Sequence, residues 1–180
     1  MNRHYVNADL KEVAIKVANE MKKQYPGTAL NYLDAGFPFF DKFPLFPHLS
    51  HNDGKKLDIA LFYTDAYTGK ETNLCPSLFG YGISEEPRTN EINTSFYCGS
   101  KGFWQYSLMK SIMPQSNKKN FVFDSVRTKA VIQLFCESPK VDKMFIEPHL
   151  KTRMGLTNSK VRFHGCNAVR HDDHIHVQIL

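Results

Sequence analysis

The sequence predicts one α+β domain over residues 1–180, with a small, mainly antiparallel sheet and flanking helices. Two segments have the apolar spacing of helices, and several short apolar runs have the length of strands. No internal repeat and no linker interrupts the chain, and 42% of the residues are hydrophobic, which is enough to bury one core. The order of the elements favours a mixed α+β arrangement.

The first predicted helix covers residues 9–25 and ends at Pro26-Gly27. Its apolar residues recur at helical spacing: Leu10, Val13, Val17 and Met21. Residues 28–33 are expected to form a strand that leads into a stretch rich in Phe and Pro at 36–47. Prolines at this density exclude a helix, so an ordered loop packed by its own aromatic rings is expected there.

Residues 57–63, with the sequence LDIALFY, have the length and composition of a buried strand. We find no clear regular structure at 64–102, which is rich in Thr, Gly, Asn and Ser, and we expect it to form a lid or a rim over a cleft. A second helix is predicted over 127–136, with Asp124 or Ser125 as its N-cap.

The C-terminal part is predicted to complete the sheet. Residues 143–147 form another apolar run, which Pro148 ends, and a basic helix or loop continues to Met154. Closing strands are expected at 161–163 and 175–180.

Composition excludes several classes of protein. The net charge of +5 permits an anionic partner, but the chain has no run of Lys and Arg, so we do not expect a nucleic-acid partner. No apolar run approaches the 18 or so residues that a transmembrane helix needs. Residues 1–10 lack the apolar core of a signal peptide, which indicates either a cytosolic protein or a chain from which a leader has been removed.

The four cysteines, Cys75, Cys98, Cys136 and Cys166, are widely spaced and form no CxxC motif. This spacing argues against a cysteine-ligated zinc finger. One or two disulfides and free buried thiols are equally compatible with it.

Two histidine clusters carry the functional signal. One is the segment from His48 to Asp58, PHLSHNDGKKLD when Pro47 is included, and the other is HDDHIHV at 171–177. Together they supply five imidazoles and a well-placed carboxylate. Zinc favours imidazole nitrogen with a carboxylate as a common third ligand, and a catalytic site leaves its fourth position open. The clusters therefore predict a zinc site.

Strand geometry arranges these side chains. His174 and His176 are two residues apart and project from the same face of a strand, so that one can bind the metal while the other handles a proton nearby. His51 and Asp58 are seven residues apart, and Gly54 allows a tight turn between them. Asp172 and Asp173 are candidates for orienting the imidazoles.

At these residues the chain resembles the zinc peptidases that share a fold with lysostaphin-type enzymes, D-alanyl-D-alanine metallopeptidases and the hedgehog signalling domain. Their shared pattern is H-x6-D followed by a C-terminal HxH. The penicillin-insensitive murein endopeptidases add a histidine three residues before each motif, as His48 and His171 do here. The matching stretches, 46–58 and 170–177, cover about a tenth of the chain.

The resemblance implies one Zn²⁺ ion held by His51, Asp58 and His176. It also implies a catalytic role for His174, as a base or as a stabiliser of the tetrahedral intermediate. His48 and His171 would be auxiliary, as outer groups or alternative ligands.

The implied function is zinc-dependent hydrolysis of amide bonds in peptidoglycan cross-link peptides, in the periplasm or cell envelope. Arg162 and Arg170 are candidate anchors for the free carboxylates of stem peptides, although ordinary surface positions are the alternative for both. Two further alternatives are a carboxypeptidase that removes the terminal D-alanine and a metal-stabilised binding module without turnover. The remaining histidines, His4, His149 and His164, are expected to be structural or solvated.

Overall fold

The computed structural model describes residues 3–36, 51–77 and 80–180, except for the side chain of Met109. The α-helices in these ranges are α1 (Ala8–Gln24), α2 (Thr94–Ser100), α3 (Leu108–Ile112), α4 (Ser125–Glu137) and α5 (Pro148–Arg153). The strands are β1 (Lys56–Ala60), β2 (Tyr63–Asp65), β3 (Glu71–Thr72), β4 (Phe121–Phe123), β5 (Val141–Phe145), β6 (Val161–Arg162) and β7 (His174–Ile179), and 3₁₀-helices span Trp104–Ser107 and Ser116–Asn120. None of the helices in the described ranges is long and apolar enough to cross a membrane.

The strands form two small sheets. The larger sheet has the order β1-β7-β5-β6 and the smaller has the order β3-β2-β4. Among the described strands only β5 and β6 pair in parallel. The predicted α+β class with a mainly antiparallel sheet is therefore confirmed.

Helix α1 confirms the prediction over 9–25. Its N-cap is Asn7, whose side chain accepts a hydrogen bond from the Leu10 amide at 2.9 Å. The four apolar residues predicted to form its buried face are all buried, and this face packs on α4. Burial of this stripe, rather than helix propensity alone, holds α1 in place.

Helix α4 begins where its cap was predicted. The Asp124 carboxylate accepts hydrogen bonds from the amides of Val126 and Arg127, at 3.1 and 3.0 Å. Val131 and Phe135 are fully buried in the core that α4 shares with α1. The two helices thus form one apolar layer.

The larger sheet has an apolar face and a polar face. Residues alternate across a strand, so Ile59, Ile175 and Val177 face the α1–α4 layer and join the core. Asp58 and His176 project from the opposite face. The fold therefore uses one side of β1 and β7 for stability and leaves the other side for chemistry.

The apolar run at 57–63 is not one strand. Residues 56–60 belong to the larger sheet, whereas Tyr63 begins β2 in the smaller sheet. Between them Phe62 leaves the first ladder, because its amide binds Thr128 Oγ1 at 3.2 Å and its carbonyl accepts from Asp124 at 2.9 Å. The change from one sheet to the other could not be predicted from the sequence, because each sheet buries its part of the run and the run is therefore apolar throughout.

The predicted strand at 28–33 is wrong. Tyr32 forms only an isolated bridge to Ile59, flanked by a hydrogen bond from the Leu33 amide to the Asp58 carbonyl at 2.8 Å. The ladder ends there because the Asp58 amide bonds to the carbonyl of Asp34, one residue beyond the regular partner. Apart from Gly36, the predicted loop at 36–47 lies outside the described residues.

Regular structure within 64–102 was missed. It comprises the end of β2, the two-residue strand β3 and helix α2. Asn93 caps α2 by accepting from the Phe96 amide at 2.9 Å, a cap signal that the sequence carries. The predicted strands at 143–147, 161–163 and 175–180 are confirmed within two residues at each end.

One disulfide joins Cys98 on α2 to Cys166, which follows β6, with 5.3 Å between the Cα atoms. The thiols of Cys75 and Cys136 are free and partly buried. The link fixes the segment around α2 to the chain that leads into β7.

We predict that reducing this disulfide lowers the free energy of unfolding by about 2–4 kcal/mol, because the bond closes a long loop in the unfolded chain. The measurement is urea unfolding of the Cys75→Ser/Cys136→Ser variant in its oxidised and reduced forms. That background leaves only the paired cysteines to respond. Equal unfolding free energies for the two forms would contradict the prediction.

Candidate metal centre

Strand pairing brings the two sequence motifs together. The antiparallel register of β1 and β7 sets Asp58 opposite His176 and Ala60 opposite His174. Opposite residues in an antiparallel pair project from the same face. Asp58, His174 and His176 therefore lie together on the polar face, although 118 residues separate Asp58 from His176 along the chain.

His51 reaches the same point from the loop before β1. Gly54 adopts a φ of +67°, which favours glycine, and its carbonyl accepts a hydrogen bond from Asn7 at 2.9 Å. Asp53 accepts from the Lys55 amide at 3.0 Å and tightens the turn. The expected tight turn at Gly54 is thus present, and it is tied to the start of α1.

Three ligand atoms form a small triangle. His51 Nε2 lies 3.2 Å from His176 Nδ1 and 3.2 Å from Asp58 Oδ1, and His176 Nδ1 lies 2.9 Å from Asp58 Oδ1. Zinc bonds of 2.0–2.2 Å in tetrahedral geometry separate two ligand atoms by about 3.3 Å. Among the described residues, His51, Asp58 and His176 thus form a group in which each side chain offers one ligand atom to a common point. The donor set fits a divalent cation.

Burial prepares the His176 imidazole for this role. His51, Asp58 and His176 are all buried. Loss of solvent lowers the pKa of His176, although the adjacent Asp58 carboxylate acts in the opposite direction. A depressed pKa favours the neutral imidazole, which is the form that binds a metal.

Tyr81 holds the second oxygen of Asp58. Its hydroxyl donates to Asp58 Oδ2 at 2.7 Å, and its ring packs edge-on against His174 with 4.9 Å between centroids. Burial, with Asp58 as a further cause, raises the pKa of Tyr81 far above its ordinary value. The phenol therefore stays protonated and keeps Asp58 Oδ1 directed at the triangle.

His174 lies beside the triangle rather than in it. Its Nδ1 is hydrogen-bonded to Asp173 Oδ1, and the other oxygen of Asp173 accepts from the Gly82 amide. An imidazole that donates from Nδ1 to a carboxylate turns Nε2 to its opposite edge, and here Nε2 lies 3.8 Å from Asp58 Oδ2. The arrangement is that of an oriented imidazole next to a cation site.

The auxiliary histidines are placed unequally. The His171 ring lies 4.8 Å from that of His174 and 5.9 Å from that of His176, and it stacks on His164 at 5.6 Å. Burial and the neighbouring imidazoles hold the pKa of His171 well below its ordinary value. His171 is therefore a neutral packing partner of the two motif histidines. His48 lies outside the described residues.

The two candidate anchoring arginines differ. The guanidinium of Arg170 is mostly buried and donates to the Asp172 carboxylate, to Glu86 at 3.0 Å and to Ser95 Oγ at 2.9 Å. These contacts neutralise it, and the surface alternative for Arg170 is wrong. Arg162 is exposed on β6 and donates to the Ser159 carbonyl at 3.1 Å. Binding of a substrate carboxylate by either residue stays a prediction.

A cavity of about 280 Å³ opens next to His174. Its lining includes Tyr81, Asp173, His174, Tyr106 and Met113. Tyr81, Gly82 and Ser84 of this lining belong to residues 64–102, so the segment expected to form a lid or a rim does border a cleft. The cavity leaves space beside His174 for a small ligand or for one side chain of a larger one.

The role of Tyr81 was not predicted from the sequence, and neither were the separate roles of Asp172 and Asp173. Tyr81 stands between Gly80 and Gly82, both with positive φ, and an aromatic residue between two such glycines was the available signal. Asp173 orients His174, whereas Asp172 is buried against Arg170. Sequence spacing could not separate the two neighbouring carboxylates.

Comparisons with protein-family models and with curated proteins give no match to this chain.

We predict that His51→Ala and Asp58→Asn each weaken zinc binding by more than about 100-fold, because each removes one of three ligands. The measurement is competition with a chromophoric chelator at fixed pH. His4→Ala is the matched control, since the His4 ring is exposed and packs edge-on against Tyr32. Unchanged zinc affinity in both ligand variants would contradict this assignment.

We predict a smaller loss for Tyr81→Phe, about 10- to 100-fold in zinc affinity, because the variant removes only the hydrogen bond that orients Asp58. The same competition measurement applies. Tyr67→Phe, at a highly exposed tyrosine on a turn, is the control. A loss as large as that of Asp58→Asn would show that the hydroxyl does more than orient the carboxylate.

Proposed function

We propose that this protein is a zinc peptidase that hydrolyses amide bonds in the cross-link peptides of peptidoglycan. The proposal includes a fold of the type shared by lysostaphin-like enzymes, D-alanyl-D-alanine metallopeptidases and the hedgehog domain. The observation that carries it is the triangle of His51, Asp58 and His176 with His174 directly beside it.

Three protein ligands are the number that catalytic zinc sites use. A structural site is closed by a fourth protein ligand, and His174 is the nearest further imidazole. Its Nδ1 is committed to Asp173, its Nε2 lies 3.8 Å from the second oxygen of Asp58, and it is not one of the three side chains whose ligand atoms cluster together. This supports a reaction centre in preference to a purely structural one.

The division of work between residues follows from these contacts. Zinc, when bound, supplies Lewis acidity that polarises a carbonyl and lowers the pKa of water. His174 Nε2 accepts the proton of the attacking water and delivers it to the leaving amine. Asp173 stabilises the imidazolium formed in between, because its carboxylate is hydrogen-bonded to Nδ1.

The fixed orientation of the metal ligand and of the base also supports a reaction centre. Tyr81 holds Asp58 at one oxygen, and Gly82 holds Asp173 through its amide. Both contacts come from one short segment, so the orientation of the metal ligand and of the base is set together. Groups fixed before the reaction cost no reorganisation during it.

The cavity lining suits a peptide that carries positive and negative groups. Its lining contains two ion pairs, Arg3–Asp34 and Arg170–Asp172, around aromatic and apolar side chains, and also Lys110, which pairs with Glu86 outside the lining. Cross-linked stem peptides combine free carboxylates, free amines and short apolar side chains. Exchange of partners within these pairs accommodates either charge without leaving a buried ion alone.

The disulfide supports an oxidising location. Disulfides persist outside the reducing cytosol, and the periplasm or cell envelope is where peptidoglycan is found. A location in the periplasm or cell envelope is therefore part of the proposal.

The test is digestion of purified peptidoglycan by the zinc-loaded protein. We predict that the wild type releases cross-link fragments and that His174→Ala lowers the rate by about 10²- to 10⁴-fold, because it removes the proton carrier. Zinc content should be unchanged in this variant, since His174 is not among the three ligands.

Mass spectrometry of the products distinguishes cleavage of cross-links from release of terminal D-alanine, which would indicate a carboxypeptidase. His4→Ala is the control and should match the wild type. A zinc-loaded wild type that releases nothing, or a His174→Ala variant with full activity, would overturn the proposed function.

A further inference from the structure

Residues 94–120 have an unusual charge. This segment contains four lysines and no acidic residue: Lys101, Lys110, Lys118 and Lys119. Lys110 and Lys118 form ion pairs with Glu86 and Glu85. Lys101 and Lys119 are exposed, and no ion pair is recorded for either among the described residues. The segment therefore presents a net positive surface.

The same segment exposes large apolar side chains. Exposed fractions are 76% for Phe96, 56% for Tyr97, 72% for Trp104 and 64% for Ile112, with Leu108 also exposed. Leu108 and Ile112 are four residues apart on α3 and so share a helix face. Exposed apolar residues are ordinary when scattered, but five within seventeen positions form a concentration that needs a partner.

Internal contacts explain why these rings do not turn inward. Helix α2 packs on the 3₁₀-helix Trp104–Ser107, and Ser95 Oγ lies 2.6 Å from Ser107 Oγ. Cys98 is buried in the disulfide, and Tyr106 is buried with its hydroxyl donating to Glu147. With Cys98 and Tyr106 as its internal anchors, the unit holds Phe96, Tyr97 and Trp104 outward.

We infer that this unit, residues 94–120, docks on an anionic lipid surface. Trp and Tyr are the residues that settle at the lipid headgroup level, with one apolar edge and one polar edge. Apolar side chains that insert beside lysines give the combination of burial and electrostatic attraction that surface-bound segments use. Charge complementarity selects an anionic surface, because the segment carries cations and no carboxylate.

The inference is independent of the proposed hydrolysis. It has a spatial consequence for the cleft, however, because Tyr106, Lys110 and Met113 of the same unit line the cavity. Docking would therefore place the cavity wall next to the lipid surface.

The chain carries its own reporter. Trp104 is the one tryptophan in the sequence and lies in the proposed contact. We predict that vesicles of phosphatidylglycerol and phosphatidylcholine shift its fluorescence to the blue and carry the protein down on sedimentation, whereas vesicles of phosphatidylcholine alone do neither. Added salt should weaken the binding, since exposed charges are screened.

Matched variants locate the contact. Ile112→Ser should lower the partition constant about tenfold through lost burial, and Lys101→Gln about fivefold through lost charge. Ile15→Ser and Lys16→Gln, at exposed positions on α1, are the controls and should bind as the wild type does. Circular dichroism checks that each variant keeps its fold.

Four results would overturn the inference. One is a wild type that does not sediment with anionic vesicles, and another is equal binding to both vesicle types. A third is equal weakening by the α1 controls. The fourth is a dimer in analytical ultracentrifugation that Ile112→Ser dissociates without lipid, which would assign the surface to a second copy of the chain.

Discussion

The antiparallel register between β1 and β7 is the constraint on which the candidate site depends. It sets Asp58 opposite His176 and gives both strands an apolar face toward α1 and α4. A slip of one residue would turn Ile175 and Val177 toward the polar side and remove the histidines from it. The hydrophobic core therefore specifies the face on which the ligands lie, and the observed register aligns Asp58 with His176 within that face.

Burial of the Asp58 carboxylate favours the binding of a cation at this site. A fully buried carboxylate is costly unless hydrogen bonds or a cation compensate it, and here Tyr81 serves one oxygen while two imidazoles face the other. A proton shared between two of these atoms satisfies one edge of the triangle at a time, whereas a divalent cation satisfies all three atoms at once. The same reasoning separates His174 from the ligands, because Asp173 already uses its Nδ1.

The sequence predicted what depends on local periodicity. Alternation along β7 was enough to set His174 and His176 on one face, and helical spacing with an Asp124 cap was enough for α1 and α4. It could not predict the exit of Phe62 from β1, the ladder shift at Asp34 or the approach of Tyr81 to Asp58, because each depends on a hydrogen bond to a distant residue. The pairing of Cys98 with Cys166 was open for the same reason, since chain spacing says nothing about the distance between α2 and the loop before β7.

The most direct test of the central claim is an anomalous difference map at the zinc edge from crystals grown with zinc. The account predicts one strong peak within bonding distance of His51 Nε2, Asp58 Oδ1 and His176 Nδ1, with His174 outside the bonding shell. A peak at His164 and His171 instead, or none within reach of Asp58, would contradict it.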